Sequence, residues 1–161
     1  MKEQSVKHLL IRQVNKVSIS SRFTVGIHIL TLVELNKDGV SSSEYIAGSV
    51  NTNATLIRKI TGMLKRAGLI EVKPGIAGAK LAKKPSEIAL LDVYRAVDVV
   101  QEQELFSVHD NPNPNCPVGR NIQDSVLPIL SAAQLALEEV LGTVTIGDII
   151  QNITVKEERE N

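Results

Sequence analysis

Residues 53–84, NATLIRKITGMLKRAGLIEVKPGIAGAKLAKK, read as a helix followed by a hairpin. Ile57, Ile60, Leu64 and Ala67 recur at helical spacing, with Leu56 and Met63 beside them, so one side of this helix is dry. Thr55, Arg58, Lys59, Gly62, Lys65 and Arg66 fall on the other side. Asn53 is the expected N-cap, and Gly68 stands where a left-handed residue would stop the helix. Short polar residues near the N-terminus and cations along the outer face suit a helix that meets base edges and phosphates. A solvated amphipathic helix has the same pattern, so the flanks must decide.

Upstream, Ser41-Ser42-Ser43-Glu44 has the form of a capping box and opens a short helix with Ile46, Ala47 and Val50 inward. Only Asn51-Thr52 separates it from the cationic helix, which makes a helix-turn-helix. Downstream, Leu69–Lys73 and Lys80–Lys83 alternate like two strands, and Pro74-Gly75 and Gly78 punctuate the loop between them. The hairpin is then a wing with lysines at its shoulders, which widens the phosphate footprint. The constellation predicts a mainly α fold: a winged helix-turn-helix, three helices plus a β-hairpin, that binds duplex DNA.

Charge supports this. The stretch 53–84 holds eight Lys or Arg against Glu71 alone, residues 1–52 six bases against four acids, and residues 85–161 four against thirteen. A chain of zero formal charge therefore joins a basic module to an acidic one, suiting the first to a polyanion. With two Tyr, two Phe and no Trp the core must be aliphatic, and stacking platforms for single strands are lacking. No apolar run approaches a membrane span and no signal peptide is recognised, and the single cysteine fits a reducing compartment, so a cytoplasmic protein is expected. No nucleophile triad, phosphate loop or carboxylate pair supports catalysis, so no enzyme is expected. The rival from another class is a winged-helix interaction module that docks proteins and leaves DNA alone.

Residues 1–18 form a mixed leader. The winged domain is expected over 19–85, an effector loop and dimerisation region over 86–153, and a disordered tail over 154–161. The first helix spans about residues 20–36, with Phe23, Ile27, Leu30 and Val33 in its apolar stripe and His28 in a structural role. Leu90, Val93, Tyr94 and Val97 share a face after the wing, and residues 101–116 lose periodicity. From Pro117 a long helix carries Ile122, Val126, Ile129, Ala133, Ala136 and Val140 at alternating steps of four and three, the period of a coiled-coil seam. Pro128 predicts a kink or break within it, and Thr145 can cap a last short helix.

The strings SSRFTVGIHIL, IRKITGMLKRAGLIEVKPGIAGAKLAKKP and IALLDVYRAVD resemble the Rrf-two family of bacterial winged-helix transcriptional regulators, the relatives of IscR. The loop NPNPNCPVG resembles the YwnA subgroup in particular, and the likeness covers about residues 19–153. It implies a homodimer whose long helices cross, with two heads on a palindromic operator. By position it places Thr55, Arg58 and Lys59 at base- and phosphate-contacting sites, and the span from Lys73 to Lys80 on the wing. The DNA contacts expected are thus Arg22, Ser42, Asn53, Thr55, Arg58, Lys59, Lys73 and Lys80. The chain departs from the family at the wing tip, where Gly75-Ile76-Ala77-Gly78-Ala79 follows Pro74 in place of a glycine-rich run after arginine. It departs again at the cluster loop, where relatives carry three cysteines and this chain has Cys116. One thiolate does not hold an iron–sulfur cluster, so no cofactor and no metal are expected. Cys116, at the N-terminus of the long helix with Arg120 in the first turn, is either a redox-sensing thiol or a small residue filling the dimer joint. The expectation is a dimeric, sequence-specific regulator, a repressor, that responds to an oxidant or a thiol through Cys116.

Overall fold

The computed structural model describes residues 21–72, 78–97, 105–106 and 108–160. The leader 1–18 and the wing tip with Lys73 lie outside the described residues. Three helices open the fold: α1 (Ser21–Leu35), α2 (Ser43–Val50) and α3 (Ala54–Arg66). Strands β1 (Ile70–Val72) and β2 (Ala79–Leu81) form the base of the wing. A 3-10 turn at Pro85–Glu87 leads to α4 (Leu90–Val97), and α5 (Pro117–Thr143) and α6 (Ile146–Glu160) complete the chain.

The core is aliphatic. Ile29, Leu30, Ile46, Ile57, Ile60, Leu64, Ile88 and Val93 are fully buried, drawn from α1, α2, α3, the residue after the 3-10 turn and α4. Phe23 adds an edge-to-face contact with Tyr94 at 5.6 Å. Burying one such side chain contributes roughly 1.5–3 kcal/mol, against about 0–1 kcal/mol for an exposed ion pair. Apolar packing, not surface charge, therefore holds the helices together. A β-carbon on Gly26 would stand 3.0 Å from Val93 Cγ1, so the missing side chain lets α1 and α4 approach closely.

The α2–α3 connection turns on Asn51, left-handed at φ 57°, and the Thr52 N–H donates to Ala47 O at 3.0 Å. Asn53 then caps α3, its Oδ1 accepting from Leu56 N–H at 2.9 Å. At the far end Gly68 takes φ 70°, its N–H donating to Lys65 O and that of Leu69 to Leu64 O, both at 3.0 Å. That pair of bonds is a Schellman motif, which satisfies carbonyls the helix would leave bare. β1 and β2 pair antiparallel with Glu71 opposite Lys80.

Four expectations need adjustment. The capping register at α2 is shifted by one: Ser42, not Ser41, is the N-cap, accepting from Tyr45 N–H at 3.1 Å. Of the kink or break expected at Pro128, the break does not occur: α5 is helical throughout, and the Asp124 carbonyl that proline leaves without a donor lies on an exposed stretch open to solvent. α6 continues to Glu160, beyond residue 154 where a disordered tail was expected, because no Pro or Gly interrupts NITVKEERE. Finally, α5 is long and apolar enough to cross a membrane by length and composition, with a mean hydropathy of 1.3. Asp124 is the only charge between Arg120 and Glu138.

α6 is stitched to the head. Leu90 N–H donates to Val144 O at 2.8 Å and Ile146 N–H to Ile88 O at 2.9 Å, bridging Ala89 and Thr145. Thr145 Oγ1 accepts from Asp148 N–H, while the Asp148 carboxylate accepts from Thr145 N–H and Oγ1, a reciprocal cap. Ile146 enters the same core as Phe23 and Ile57, so the segments flanking residue 85 share one interior.

Candidate nucleic-acid interface

The dry side of α3 is buried through Ile57, Ile60, Met63 and Leu64, which turns Thr55, Arg58, Lys59, Lys65 and Arg66 to solvent. A cleft of about 280 Å³ runs between this side and the wing base, lined by Ser42, Arg58, Gly62, Lys65, Gly78 and Ala79. Ser42, the N-cap of α2, lines this cleft, while Asn53, the N-cap of α3, is exposed outside its lining. Lys65 was not among the expected contacts; it follows Arg58 by seven residues, two turns along the same face, and that spacing could have found it.

Arg58 is not isolated. Its Nη2 donates to Glu44 Oε1 at 2.5 Å, joining the middle of α3 to the first turn of α2. The shifted cap explains this. With Ser42 as N-cap, Glu44 is the second helical residue rather than the third, and its side chain turns to α3. Its own backbone N–H and then the Arg58 guanidinium hold the Glu44 carboxyl below the usual range.

The other expected contacts are more scattered. Lys80 lies on β2 opposite Glu71, and borders a second cleft with Lys37, Lys83, Lys84, Glu34 and Glu87. It is therefore on a different side of the wing base from Arg58. Arg22 is half-buried in the first turn of α1. His28 shares a 2.9 Å hydrogen bond with Ser49 Oγ and ties α1 to α2, the structural role expected for it.

Further along the chain, Cys116 is exposed and forms the N-cap of α5. Gly119 N–H, then Val118 N–H, holds the thiol below its usual range. The lowering comes from these amides, while Arg120 contributes only its position in the same turn. Gly119 is required here: a β-carbon at that position would collide with the Asn113 carbonyl, which folds the loop over the first turn of α5. Cys116 N–H also donates to Asn113 O at 3.2 Å.

Of the expected seam on α5, Ile129 and Val140 are 68% and 61% exposed, Ala133 and Ala136 are exposed, and Ile122 and Val126 are half-buried. Leu130, Leu137 and Leu141 are half-buried, and Leu141 packs against the core.

Comparison with known proteins agrees with this architecture. The profile of the Rrf2 family, described as iron-dependent transcriptional regulators, matches residues 19–152. The chain belongs to the Rrf2 family. A protein described as an HTH-type transcriptional regulator, YwnA of Bacillus subtilis (strain 168), is 43% identical over 135 residues, 84% of this chain and 98% of that one. A crystal structure described as that of a DNA-binding protein is 38% identical with a TM-score of 0.66, covering 80% of this chain and 98% of the other. CymR, the global cysteine regulator of B. subtilis, shares the fold at 22% identity and a TM-score of 0.60, over 83% and 96% of the two chains. Rrf2 proteins are transcriptional regulators that bind DNA and are not enzymes, and this chain is one of them.

The family's iron does not fit the donors of this Rrf2 protein. Cys116 is the only cysteine of 161 residues, and no group of three or more His, Cys, Asp or Glu is placed to hold a metal ion among the described residues. Thiolate clusters need several such ligands.

Proposed function

We propose that the protein is a homodimeric, sequence-specific repressor that reads a palindromic operator, with Cys116 as a thiol redox switch in place of an iron–sulfur cluster. The observation that carries the DNA reading is the solvent side of α3, where Thr55, Arg58, Lys59 and Lys65 stand exposed at the end of a helix-turn-helix. Arg58 offers a fork suited to guanine O6 and N7, and Lys59 and Lys65 are point charges suited to phosphate. Arg22, Ser42, Asn53, Lys73 and Lys80 extend the footprint along the helix starts and the wing.

A second copy is the occupant best suited to the bare apolar stripe of α5. A helix with Ile129 and Val140 mostly in water loses the burial that stabilises amphipathic helices, and a crossing partner restores it. Two heads held by crossed helices meet half-sites about one turn, roughly 10 bp, apart. Such a regulator works in the cytoplasm, where a bacterial chromosome lies.

Selection of bound duplexes from a random pool, followed by titration over a salt series, tests the reading. A dimer per site and a linear fall of log affinity with log salt are expected, with a slope near −0.9 for each phosphate neutralised. Saturation at one monomer, or affinity indifferent to salt, overturns it in favour of a protein-docking module.

A further inference from the structure

We propose that Glu44 is a specificity-determining residue: it neutralises Arg58 toward phosphate while leaving its fork available to a base edge. The inference rests on α3 being the reading helix, and it concerns a carboxylate that neither the family likeness nor the spacing of cations points to.

The ion pair is poorly placed to serve stability. Arg58 and Glu44 are 58% and 66% exposed, and α2 and α3 are already joined through buried Ile46, Ala47, Ile57 and Ile60. Its position is what matters. Glu44 lies in the first turn of α2, where free backbone N–H groups and the helix dipole favour an anion. A DNA phosphate is the competing anion, and Glu44 holds that place with its own charge. The charged residues of α3 are all exposed cations: Arg58, Lys59, Lys65 and Arg66. Glu44 therefore cancels one of these charges, that of the Arg58 fork at the cleft.

Two kinds of contact respond differently to this cancellation. On random duplex an arginine contributes mainly by displacing counterions from phosphate, which depends on its net charge. At a guanine it contributes through two aligned hydrogen bonds, which depend on geometry. Guanidinium has five N–H donors, and the bond from Nη2 to Glu44 leaves others to reach O6 and N7. Pairing with Glu44 also restricts the rotamers of Arg58 before DNA arrives, lowering the ordering cost of the specific contact. Both effects favour operator over random sequence.

The test compares wild type, Glu44→Gln, Arg58→Ala and the double variant, on a selected operator and on random duplex across a salt series. Gln keeps the shape and removes the charge. Glu44→Gln is expected to bind random duplex several-fold more tightly, to steepen its salt slope by about 0.9 per subunit, and to narrow the operator preference. In the Arg58→Ala background the same change is expected to do little. Equal gains in both backgrounds overturn the proposal, making Glu44 a plain repulsive charge. So does an unchanged slope for Glu44→Gln in a folded protein, checked by its thermal unfolding. Wild type that binds no duplex sinks the DNA reading and this inference with it, whereas binding by wild type with a silent Glu44→Gln sinks the inference alone.

Discussion

Arg95 Nη2 donates to Glu138 Oε2 at 2.9 Å and so ties α4, which packs on α3, to the C-terminal part of the long helix α5. Gln134 Nε2 donates to the other carboxylate oxygen at 3.0 Å. These bonds, Gln134 first and Arg95 next, hold the Glu138 carboxyl below its ordinary value of 4.5. A carboxyl lowered by folding stabilises the protein above its unfolded pKa, and that contribution is lost as pH falls through the folded value. Because Arg95 is well exposed, the pair is worth at most about 1 kcal/mol. Thermal unfolding of Glu138→Gln should therefore show a small deficit at pH 7 that closes as pH falls through the lowered folded value, below 4.5. A deficit independent of pH would assign it to packing rather than charge.

Arg58→Ala and Lys80→Ala should separate reading from positioning. Loss of a bidentate guanine contact costs about 1–3 kcal/mol of discrimination, so Arg58→Ala should weaken operator binding far more than random binding. Lys80 lies on the wing across from Glu71 and away from the Arg58 cleft, so its removal should weaken both duplexes alike. Competition between labelled operator and random duplex measures the ratio. Equal losses on both duplexes for Arg58→Ala would reduce it to a phosphate contact.

Ile129→Glu probes the bare stripe of α5. In a monomer the substitution is mild, because Ile129 is 68% exposed within its own chain. In a dimer it places an unpaired carboxylate in a dry seam, which is costly. Sedimentation should show monomers with an unchanged fold and much weaker operator binding. A variant still dimeric would move the interface away from this stripe, and partitioning of wild type into lipid vesicles would give the stripe a membrane as its cover.

Helix α3 was legible because local signals at both ends agree. Asn53 caps it, Gly68 turns it off, and between them the apolar spacing has a single solution. The start of α2 was less legible because Ser41, Ser42 and Ser43 can each serve as a cap. Tertiary packing chooses among them: Ser41 is buried, its Oγ accepts from Asn36 Nδ2, and a β-carbon on Gly78 would lie 3.3 Å from its backbone N. That choice moves Glu44 by one position and creates its pair with Arg58, which no local pattern announces. The last helix was misjudged for a different reason. Its charged end lacks apolar periodicity, yet the reciprocal cap at Thr145 and Asp148 starts a helix that nothing stops before Glu160.

Cys116 is expected to act as the switch. Amides of Gly119 and Val118 hold its thiol below the ordinary value of 9.0, so more thiolate is present at neutral pH than in a free cysteine. The thiolate attacks hydrogen peroxide, breaking the O–O bond to give a sulfenic acid and hydroxide, which leaves as water on protonation; a second thiol, from the other subunit or a small molecule, condenses with the sulfenic acid to a disulfide and releases water. Added bulk at this N-cap would press on the loop that the Asn113 carbonyl seats against Gly119, and so on the start of α5. If α5 sets the spacing of two heads, a small shift there mismatches them to the operator. Wild type should lose operator affinity after mild peroxide followed by a small thiol and recover it with reductant, while Cys116→Ser should stay bound throughout. Gly119→Ala should loosen the loop and slow the reaction of Cys116 with a thiol reagent, since the same turn presents the amides to sulfur. If wild type and Cys116→Ser lose affinity alike, or neither does, Cys116 is a structural residue of the helix joint.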